Sequence, residues 1–307
     1  MVSKLANKPN LSDIMRLSKN LTVVLGLVGA GLVFYGYQAF RVRGEAGGLT
    51  KSITPTYWVD RATGRDLFDP DKRIWYKGIR DKKEVCISFD DGPHPLSCRS
   101  LLATLKDKHV PATFFVVGKQ VEGNPDLVKM IMDEGHELGN HTYDHIALDN
   151  ISREKVYDQI NRCDIAVEKA TGRKMVLFRP PHNRYNDTVL SVVKQKDDIL
   201  MSYVIGAKDF IGTVTKEELT QEQQKEAAIT PELIIWYVEK QLRPGAIILL
   251  HDNPITAAAL PKLIDMVRSK GYEFKSAKEM MSELPQHVQL DPNPPVPAAS
   301  NLSNSHN

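Results

Sequence analysis

The stretch EVCISFDDGPHP, residues 84–95, decides the fold, because the apolar residues VCISF are followed at once by two carboxylates, Asp90 and Asp91. The run is typical of a buried strand. Adjacent side chains on an extended strand point in opposite directions, so both carboxylates can face one site only if the strand breaks there. Gly92-Pro93 supplies a turn for that break. Two close carboxylates repel each other unless a cation compensates them, so the stretch predicts a strand that ends in a charged site; a surface turn is the alternative.

Similar apolar runs recur along the chain, and segments with helical signals separate them. The runs are VCISF (85–89), ATFFVV (112–117), MVLF (175–178), ILMSYVI (199–205), AIILL (246–250) and YEF (272–274). Helix starts are predicted at Pro125, after Ser152 and at Pro231. Alternating strands and helices predict a parallel sheet, open or closed into a barrel, with its chemistry at the carboxyl ends of the strands.

A histidine pair, His141 and His145, follows the short stretch HEL (136–138). Histidines four residues apart can face one metal ion from one helical turn. Thr142 follows the first histidine, so the pair does not belong to the HExxH motif of zinc proteases. Such pairs are common, but together with the two aspartates this one predicts a metal site with two histidines and one carboxylate.

Three further polar groups follow predicted strands. Arg179 precedes two prolines that hold the backbone rigid, and its guanidinium could bind an aspartate through two hydrogen bonds. Asp209 follows ILMSYVI, and His251 ends AIILL. A histidine at a strand end, supported by a carboxylate, suits proton transfer near neutral pH.

The segments SFDDGPHP, GNHTYDH, FRPPHN, KDF and LLHD resemble, in this order, the five motifs of the polysaccharide deacetylase family, which includes peptidoglycan, chitin and chitooligosaccharide deacetylases. The likeness spans residues 84–284. It implies a distorted (β/α) barrel with fewer than eight strands and hydrolysis of N-acetyl groups on an amino-sugar polymer. Peptidoglycan N-acetylglucosamine is the first expectation, and chitin oligomers, poly-N-acetylglucosamine and xylan stay open.

The resemblance also implies a metal site and a general base. Asp91, His141 and His145 would hold a divalent cation, for which Zn²⁺ is expected and Co²⁺, Ni²⁺ or Mn²⁺ would also serve. Asp90 would be the general base that takes a proton from water, and Arg179 would hold it in place.

The remaining implied roles concern the leaving group and the substrate. His251 would be the general acid, and Asp209 would orient it. A backbone N–H just after Pro181 would stabilise the oxyanion. Leu249 and Phe210 would surround the methyl group of the acetyl.

The third and fourth motifs depart from the family's usual text. His182 and Asn183 stand where an aromatic residue and a glycine are usual, and His182 could become a sugar contact or a further ligand. Gly206 replaces an acidic residue, and Phe210 replaces a tryptophan. These changes bear on the groove walls more than on metal binding. Residues 211–229 form a longer connection than most relatives need, and we predict a solvated surface helix there.

The N-terminal part predicts a membrane anchor. Residues 21–40 carry no charge, and at about 1.5 Å per residue they reach the roughly 30 Å of bilayer hydrocarbon. Basic residues before them favour a cytoplasmic segment 1–20 and a catalytic domain outside the cytoplasm, in the periplasm or at the cell surface. A cleaved signal peptide is the alternative. Residues 41–83 are predicted to be a stem and lead-in strand, and the Pro-rich residues 285–307 a disordered tail.

The composition narrows the function classes. A net charge of +2 gives no electrostatic case for nucleic acid as a partner. Three cysteines make no disulfide framework and no CxxC metal motif. Two other functions stay open, namely a catalytically silent glycan-binding domain on the same fold and a non-haem iron oxygenase, since two histidines and a carboxylate also suit iron. The oligomeric state is not predicted.

Overall fold

The computed structural model describes residues 55–212 and 229–285. The chain divides into two compact units, Met1–Ala62 and Thr63–Asn307. The predicted cytoplasmic segment, the predicted anchor and nearly all of the predicted connection and tail lie outside the described residues. Within the described ranges, no helix combines the length and the apolar character needed to cross a membrane.

The strands and helices alternate along most of the described chain. The strands are β1 (Phe68–Asp69), β2 (Ile74–Trp75), β3 (Glu84–Gly92), β4 (Ala112–Val116), β5 (Glu137–Asn140), β6 (Leu177–Phe178), β7 (Ile199–Met201), β8 (Ile205–Gly206), β9 (Ala246–His251) and β10 (Glu273–Phe274). The α-helices are α1 (Pro55–Thr63), α2 (Cys98–Asp107), α3 (Gly118–Gly123), α4 (Pro125–Asp133), α5 (Arg153–Thr171), α6 (Asp187–Gln195), α7 (Pro231–Gln241), α8 (Pro254–Ser269) and α9 (Ala277–Ser282). Short 3₁₀ turns cover Pro181–Asn183 and Asp209–Gly212.

One sheet organises the second unit, in the order β1-β2-β7-β6-β5-β4-β3-β9-β8, with β10 paired to β3. Every pairing is parallel except that of β1 with β2. The predicted α/β class is confirmed. The predicted strand number, fewer than eight, is wrong, because the described sheet has ten strands. Several of them have only two residues, which is too short to leave a periodic pattern in the sequence.

The apolar run ILMSYVI is not the single strand that we predicted. It forms β7 and β8, which lie six positions apart in the sheet order, with residues 202–204 between them. At about 4.8 Å per strand, a flat sheet would hold them roughly 29 Å apart. Three intervening residues span at most about 14 Å. The sheet must therefore curve strongly, and it forms a half-barrel.

The two faces of β3 meet different surroundings. Val85, Ile87 and Phe89 pack in a large core with the helices around the sheet. Cys86 belongs to a second core cluster on the other face, with residues of β2, β4, β7 and β9. Since side chains alternate along a strand, Asp90 follows Cys86 onto this inner face.

The helix signals that we read from the sequence act as predicted. The Ser152 hydroxyl accepts a hydrogen bond from the Lys155 backbone at the start of α5, and Gly172 ends that helix with φ of 68°. Thr230 caps α7 ahead of Pro231 in the same way. The two capped helix starts fix where the loops that leave the carboxyl edge of the sheet enter the following helices, and the predicted polar residues lie at that edge.

Candidate active site

The two carboxylates at the end of β3 take up different positions. Asp90 is buried, with 4% of its surface exposed. Asp91 has φ of 70°, in the left-handed region that non-glycine residues seldom adopt. The pairing register with β4 shifts between Phe89 and Gly92. The break that we predicted from Gly92-Pro93 therefore begins at Asp91, and it lets both carboxylates approach the same site.

The two histidines lie in a loop after β5, so the predicted helical turn is wrong. His141 donates its backbone N–H to the Val116 carbonyl, and Thr142 and His145 both have positive φ angles, of 68° and 57°. The side chain of Asn140 holds this loop, because its oxygen accepts the Thr142 N–H at 2.8 Å. The spacing of four residues therefore brings the histidines together through an irregular turn.

Asp91, His141 and His145 form the group in the described chain that could hold a metal ion, with ligand atoms that all lie within 4.8 Å of one another. Oδ1 of Asp91 lies 3.4 Å from Nε2 of His141 and 3.1 Å from Nε2 of His145. That buried oxygen nevertheless accepts no hydrogen bond from a described residue. Three ligand atoms that face one another without hydrogen-bond geometry suit a shared cation.

The electrostatics and the surrounding contacts agree with such a cation. His141 Nδ1 lies 2.7 Å from the Arg179 carbonyl oxygen, to which it donates, and this leaves the lone pair on Nε2. Burial would raise the pKa of Asp91, but the imidazoles of His141 and His145 hold it well below its usual value. The carboxylate is therefore ionised, as a metal ligand must be.

Arg179 is buried on the inner face of the sheet, with 1% of its surface exposed. Its Nη1 donates to Asp90 Oδ1 at 2.7 Å and to the Ser88 hydroxyl at 2.9 Å. Nε and Nη2 donate to the carbonyls of Met201 and Ser202. The predicted contact with an aspartate is present, but the predicted pair of bonds is wrong, because only one nitrogen reaches Asp90 while the others bind backbone.

His251 and Asp209 lie beside this group. His251 is the register partner of Asp90 on the adjacent strand. Asp209 is fully buried, and its Oδ1 lies 2.9 Å from His251 Nδ1 while Oδ2 accepts the His251 backbone N–H at 2.7 Å. Burial would lower the pKa of His251, but Asp209, Asp91 and Asp90 outweigh it and raise the pKa to about 9.

The predicted substrate contacts lie around this centre. His182 is exposed, with its ring centroid 5.2 Å from that of His145, and burial together with His145 lowers its pKa. Pro181 is buried beside it. Phe210 is 36% exposed, with its ring 6.1 Å from that of His251. Leu249 is 8% exposed on β9, two residues before His251.

Several residues that support the site had been missed from the sequence. Ser88 binds Arg179, and Thr256 donates to Asp209 Oδ2 at 2.6 Å. Asp252, next to His251, instead accepts the Ser97 hydroxyl and thus ties the β3 loop to β9. Only the alternation along β3, which places Ser88 on the face of Asp90, could have indicated one of these contacts.

Known proteins with similar sequences indicate the family to which this chain belongs. A family model described as polysaccharide deacetylase matches residues 77–197. The chain is 31% identical over 223 residues to a peptidoglycan-N-acetylglucosamine deacetylase of Bacillus cereus, and the match covers 71% of this chain and 97% of that protein. It is also 31% identical over 214 residues to the peptidoglycan-N-acetylmuramic acid deacetylase PdaA of Bacillus subtilis, covering 68% of this chain and 75% of that protein.

Solved structures share the fold. The structure of a CE4 family pseudoenzyme from Bacillus anthracis matches with a TM-score of 0.61 and 27% identity, over 68% of this chain and 69% of that one. The match to the Bacillus cereus enzyme covers almost the whole of that protein. The chain therefore belongs to the polysaccharide deacetylase family, hydrolases that act on N-acetyl amide bonds.

Proposed function

We propose that this chain is a metal-dependent deacetylase that removes N-acetyl groups from peptidoglycan N-acetylglucosamine and releases acetate. One observation carries the proposal: the group of Asp91, His141 and His145 lies beside an Asp90–Arg179 ion pair and a His251–Asp209 pair, with Asp90 and His251 on adjacent strands. Amide hydrolysis needs an activated water and a protonated leaving group in one site, and this arrangement offers a group for each task. The oxygenase alternative would leave both pairs without a role.

Asp91, His141 and His145 would hold the cation, and Zn²⁺ is the first candidate because one carboxylate and two imidazoles are typical of catalytic zinc sites. A divalent cation at these residues would supply Lewis acidity to water and to the acetyl carbonyl. Cobalt, nickel or manganese would suit the same ligand set. The hydrogen bond from His141 to the Arg179 carbonyl keeps this ligand in the required tautomer.

Asp90 would be the general base. Arg179 binds its Oδ1, so Oδ2, which lies 3.7 Å from His141 Nε2, is the oxygen on the metal side. We expect Oδ2 to accept the proton of the attacking water as the new bond forms between the water oxygen and the acetyl carbon. Arg179 holds the carboxylate in the orientation that this transfer requires.

His251 would be the general acid. Its Nδ1–H donates to Asp209, which directs Nε2–H away from Asp209 and towards the cleft. Burial opposes the charged ring, but Asp209, Asp91 and Asp90 raise its pKa, to about 9 without a metal ion, and so favour the protonated form at neutral pH. The proton would pass from Nε2 to the amide nitrogen as the bond between carbon and nitrogen breaks, leaving acetate and a free amine.

The glycan would lie over the exposed side of the site, against His182 and Phe210, with Leu249 beside the methyl group and a backbone N–H after Pro181 at the oxyanion. Peptidoglycan is proposed because the two curated relatives named above are peptidoglycan deacetylases, one for N-acetylglucosamine and one for N-acetylmuramic acid. A polysaccharide site on an exported domain would agree with the uncharged residues 21–40 acting as an anchor.

The test is acetate release from purified peptidoglycan, with N-acetylglucosamine oligomers, poly-N-acetylglucosamine and acetylated xylan in parallel. We expect release from peptidoglycan by the wild-type protein, and loss of at least 10³-fold in Asp90→Asn with the metal content unchanged. If Asp90→Asn released acetate as fast as the wild-type protein, Asp90 would not be the general base. If another glycan released more acetate than peptidoglycan, that glycan would be the better candidate for the substrate.

A catalytically silent glycan-binding domain is the second candidate, because one similar solved structure is described as a pseudoenzyme and because the third motif here contains His182 and Asn183. A protein that binds Zn²⁺ and peptidoglycan but releases no acetate from any of these glycans would be this second kind.

We propose further that residues 21–40 anchor the enzyme and that the catalytic domain is extracytoplasmic. The proposal is supported by the length of the uncharged stretch and the basic residues before it. Cells that produce the full chain should retain it in the membrane fraction after an alkaline carbonate wash. Protease added outside the inner membrane should then degrade the catalytic domain; protection of that domain would reverse the orientation.

A further inference from the structure

Asp209 is held in a socket made by the end of β9 and the first turn of α8. Its carboxylate accepts three hydrogen bonds, two from His251 and one from the Thr256 hydroxyl. Asn253 additionally donates its side-chain amide to the Asp209 backbone carbonyl at 3.1 Å. All of these donors come from one stretch of six residues, so a single strand-to-helix junction positions the carboxylate.

The division of bonds between the two oxygens decides which one faces His251 Nδ1. Oδ2 accepts both the His251 backbone N–H at 2.7 Å and the Thr256 hydroxyl at 2.6 Å, while Oδ1 is left for the imidazole at 2.9 Å. Asp209 and Thr256 are both fully buried, so water does not compete for these bonds. Without the hydroxyl, Oδ2 would keep one donor and the carboxylate could turn about its bond to Cβ.

We propose that Thr256 is a positioning residue for the general acid: its hydroxyl fixes the Asp209 carboxylate so that Oδ1 holds the Nδ1–H of His251. This inference rests on the proposed function, since it gives His251 the role of acid. Thr256 touches neither the metal ligands nor the acid itself through its side chain; it acts through Asp209.

The hydroxyl of Thr256 and its backbone N–H have different partners, so the hydroxyl can be removed without removal of the helix cap. Thr256 donates its backbone N–H to Asn253 Oδ1 at 2.8 Å, which caps α8. Thr256→Val removes the hydroxyl but leaves this backbone bond in place. Thr256→Val preserves the shape of the side chain, and Thr256→Ser keeps the hydroxyl while it removes the methyl group.

Acetate release from peptidoglycan tests the proposal first. We expect Thr256→Val to lower kcat by about 10- to 100-fold, the range for one hydrogen bond to a charged group, with KM within about twofold. Thr256→Ser should restore most of kcat. Thr188→Val is the matched control, because Thr188 also lies in the first turn of a helix behind an asparagine cap but is not one of the residues that donate to the Asp209 carboxylate; it should behave as wild type.

A spectroscopic measurement separates positioning from general destabilisation. In the metal-free protein, the Nδ1 proton of His251 should give a downfield NMR signal that persists in Thr256→Ser and broadens or moves upfield in Thr256→Val. If Thr256→Val does not fold, Thr256→Ala supplies the same comparison. Unchanged kcat and an unchanged signal in the folded valine or alanine variant would overturn the proposal. If the wild-type protein released no acetate, the proposed function would fail, while the NMR signal would still decide the role of Thr256.

Discussion

Arg179 is the buried cation on which the Asp90 side of the site depends. All of its named contacts are with buried groups: one carboxylate, one hydroxyl and two backbone carbonyls. Its guanidinium also lies 4.1 Å from the centre of the Phe115 ring. Removal of one partner of a buried ion pair leaves an uncompensated charge, which costs more than the pair itself contributes.

We therefore expect Arg179→Met to lower the free energy of unfolding by about 3–5 kcal/mol. The exposed pair of Arg184 with Asp149, at 2.8 Å, supplies the control; Arg184→Met should cost at most about 1 kcal/mol. Urea unfolding in the presence of a chelator measures both values without a contribution from metal. Equal losses in the two variants would contradict the account of Arg179.

The ionisation of His251 supplies a second prediction. In metal-free protein its pKa should be about 9, and bound Zn²⁺ should lower it, because a cation at Asp91 offsets one of the charges that raise it. Asp209→Asn should lower the pKa of His251, since burial, which disfavours the charged ring, remains while the nearest carboxylate is lost. Histidine NMR titration measures these shifts, and a pKa that stays near 9 in Asp209→Asn would exclude this cause.

The same ionisation sets the direction of the pH dependence. A general acid must be protonated, so kcat should fall as the pH rises through the pKa of His251 in the metal-bound enzyme, which lies below the metal-free value. A rate profile whose alkaline limb lies above pH 9 would contradict this assignment.

At the scale of elements, the loop between β5 and α5 determines the metal site. Asn140 joins these elements, because its side-chain amide donates to the Ile160 carbonyl at 2.8 Å and to Asp164 at 2.7 Å, while its oxygen accepts the Thr142 N–H. The positive φ angles on either side of the loop need this support. The strand end thus carries the ligand, and the helix holds the strand end in place.

Asn140→Ala should raise the Kd for Zn²⁺ by about 10- to 100-fold, the usual effect of losing a group that orients a ligand. Asn161→Ala is the control. Asn161 lies on α5, the helix that Asn140 contacts, and among the described contacts its side-chain oxygen accepts a hydrogen bond only from the Lys196 side chain. Competition with a chelator of known affinity measures both. The role of Asn140 would be refuted by equal affinities in two folded variants.

The elements also show why part of the structure could not be predicted. The strand ends that carry Asp90, Arg179 and His251 were predictable, because the apolar runs VCISF, MVLF and AIILL precede them. β5 was not, because Glu137–Asn140 holds a single large apolar side chain, Leu138. The spacing of the two histidines predicted a helical turn, because a spacing of four is ambiguous outside a periodic segment. The split of ILMSYVI is a tertiary effect, because nothing in these seven mainly apolar residues indicates that the chain passes to a strand six positions away in the sheet.

For the molecule as a whole, metal binding should be measurable as stability. Zn²⁺ at 100 times its Kd should add about 2.7 kcal/mol and raise Tm by about 5–10 °C. Asp91→Asn should abolish the rise, because the charged ligand is lost, whereas His109→Asn should keep it, since His109 is an exposed residue outside the ligand group. A calorimetric scan with and without Zn²⁺ decides between these outcomes; a full rise in Asp91→Asn would place the metal elsewhere.

The α/β class of the whole fold was predicted. The family resemblance also implied a distorted barrel with fewer than eight strands, whereas the described sheet is a half-barrel of ten strands. Alternating strands and helices indicated a parallel α/β sheet, and the five motifs indicated which strand ends should meet. The supporting contacts of Ser88, Asn140 and Thr256 were not predictable, because each depends on how distant elements pack, and no pattern along the chain records that. The anchor at residues 21–40 stays a prediction.

The link of residues 202–204 between β7 and β8 has a consequence for the reach of Arg179. Covalent chain, rather than a ladder of hydrogen bonds, joins β7 to β8 here, and the Ser202 carbonyl in that link receives one of the guanidinium bonds. Each residue inserted after Tyr203 would lengthen this link by up to about 3.5 Å. A short insertion would thus let the Ser202 carbonyl shift, and this would draw Arg179 away from Asp90 without altering any residue that touches the substrate.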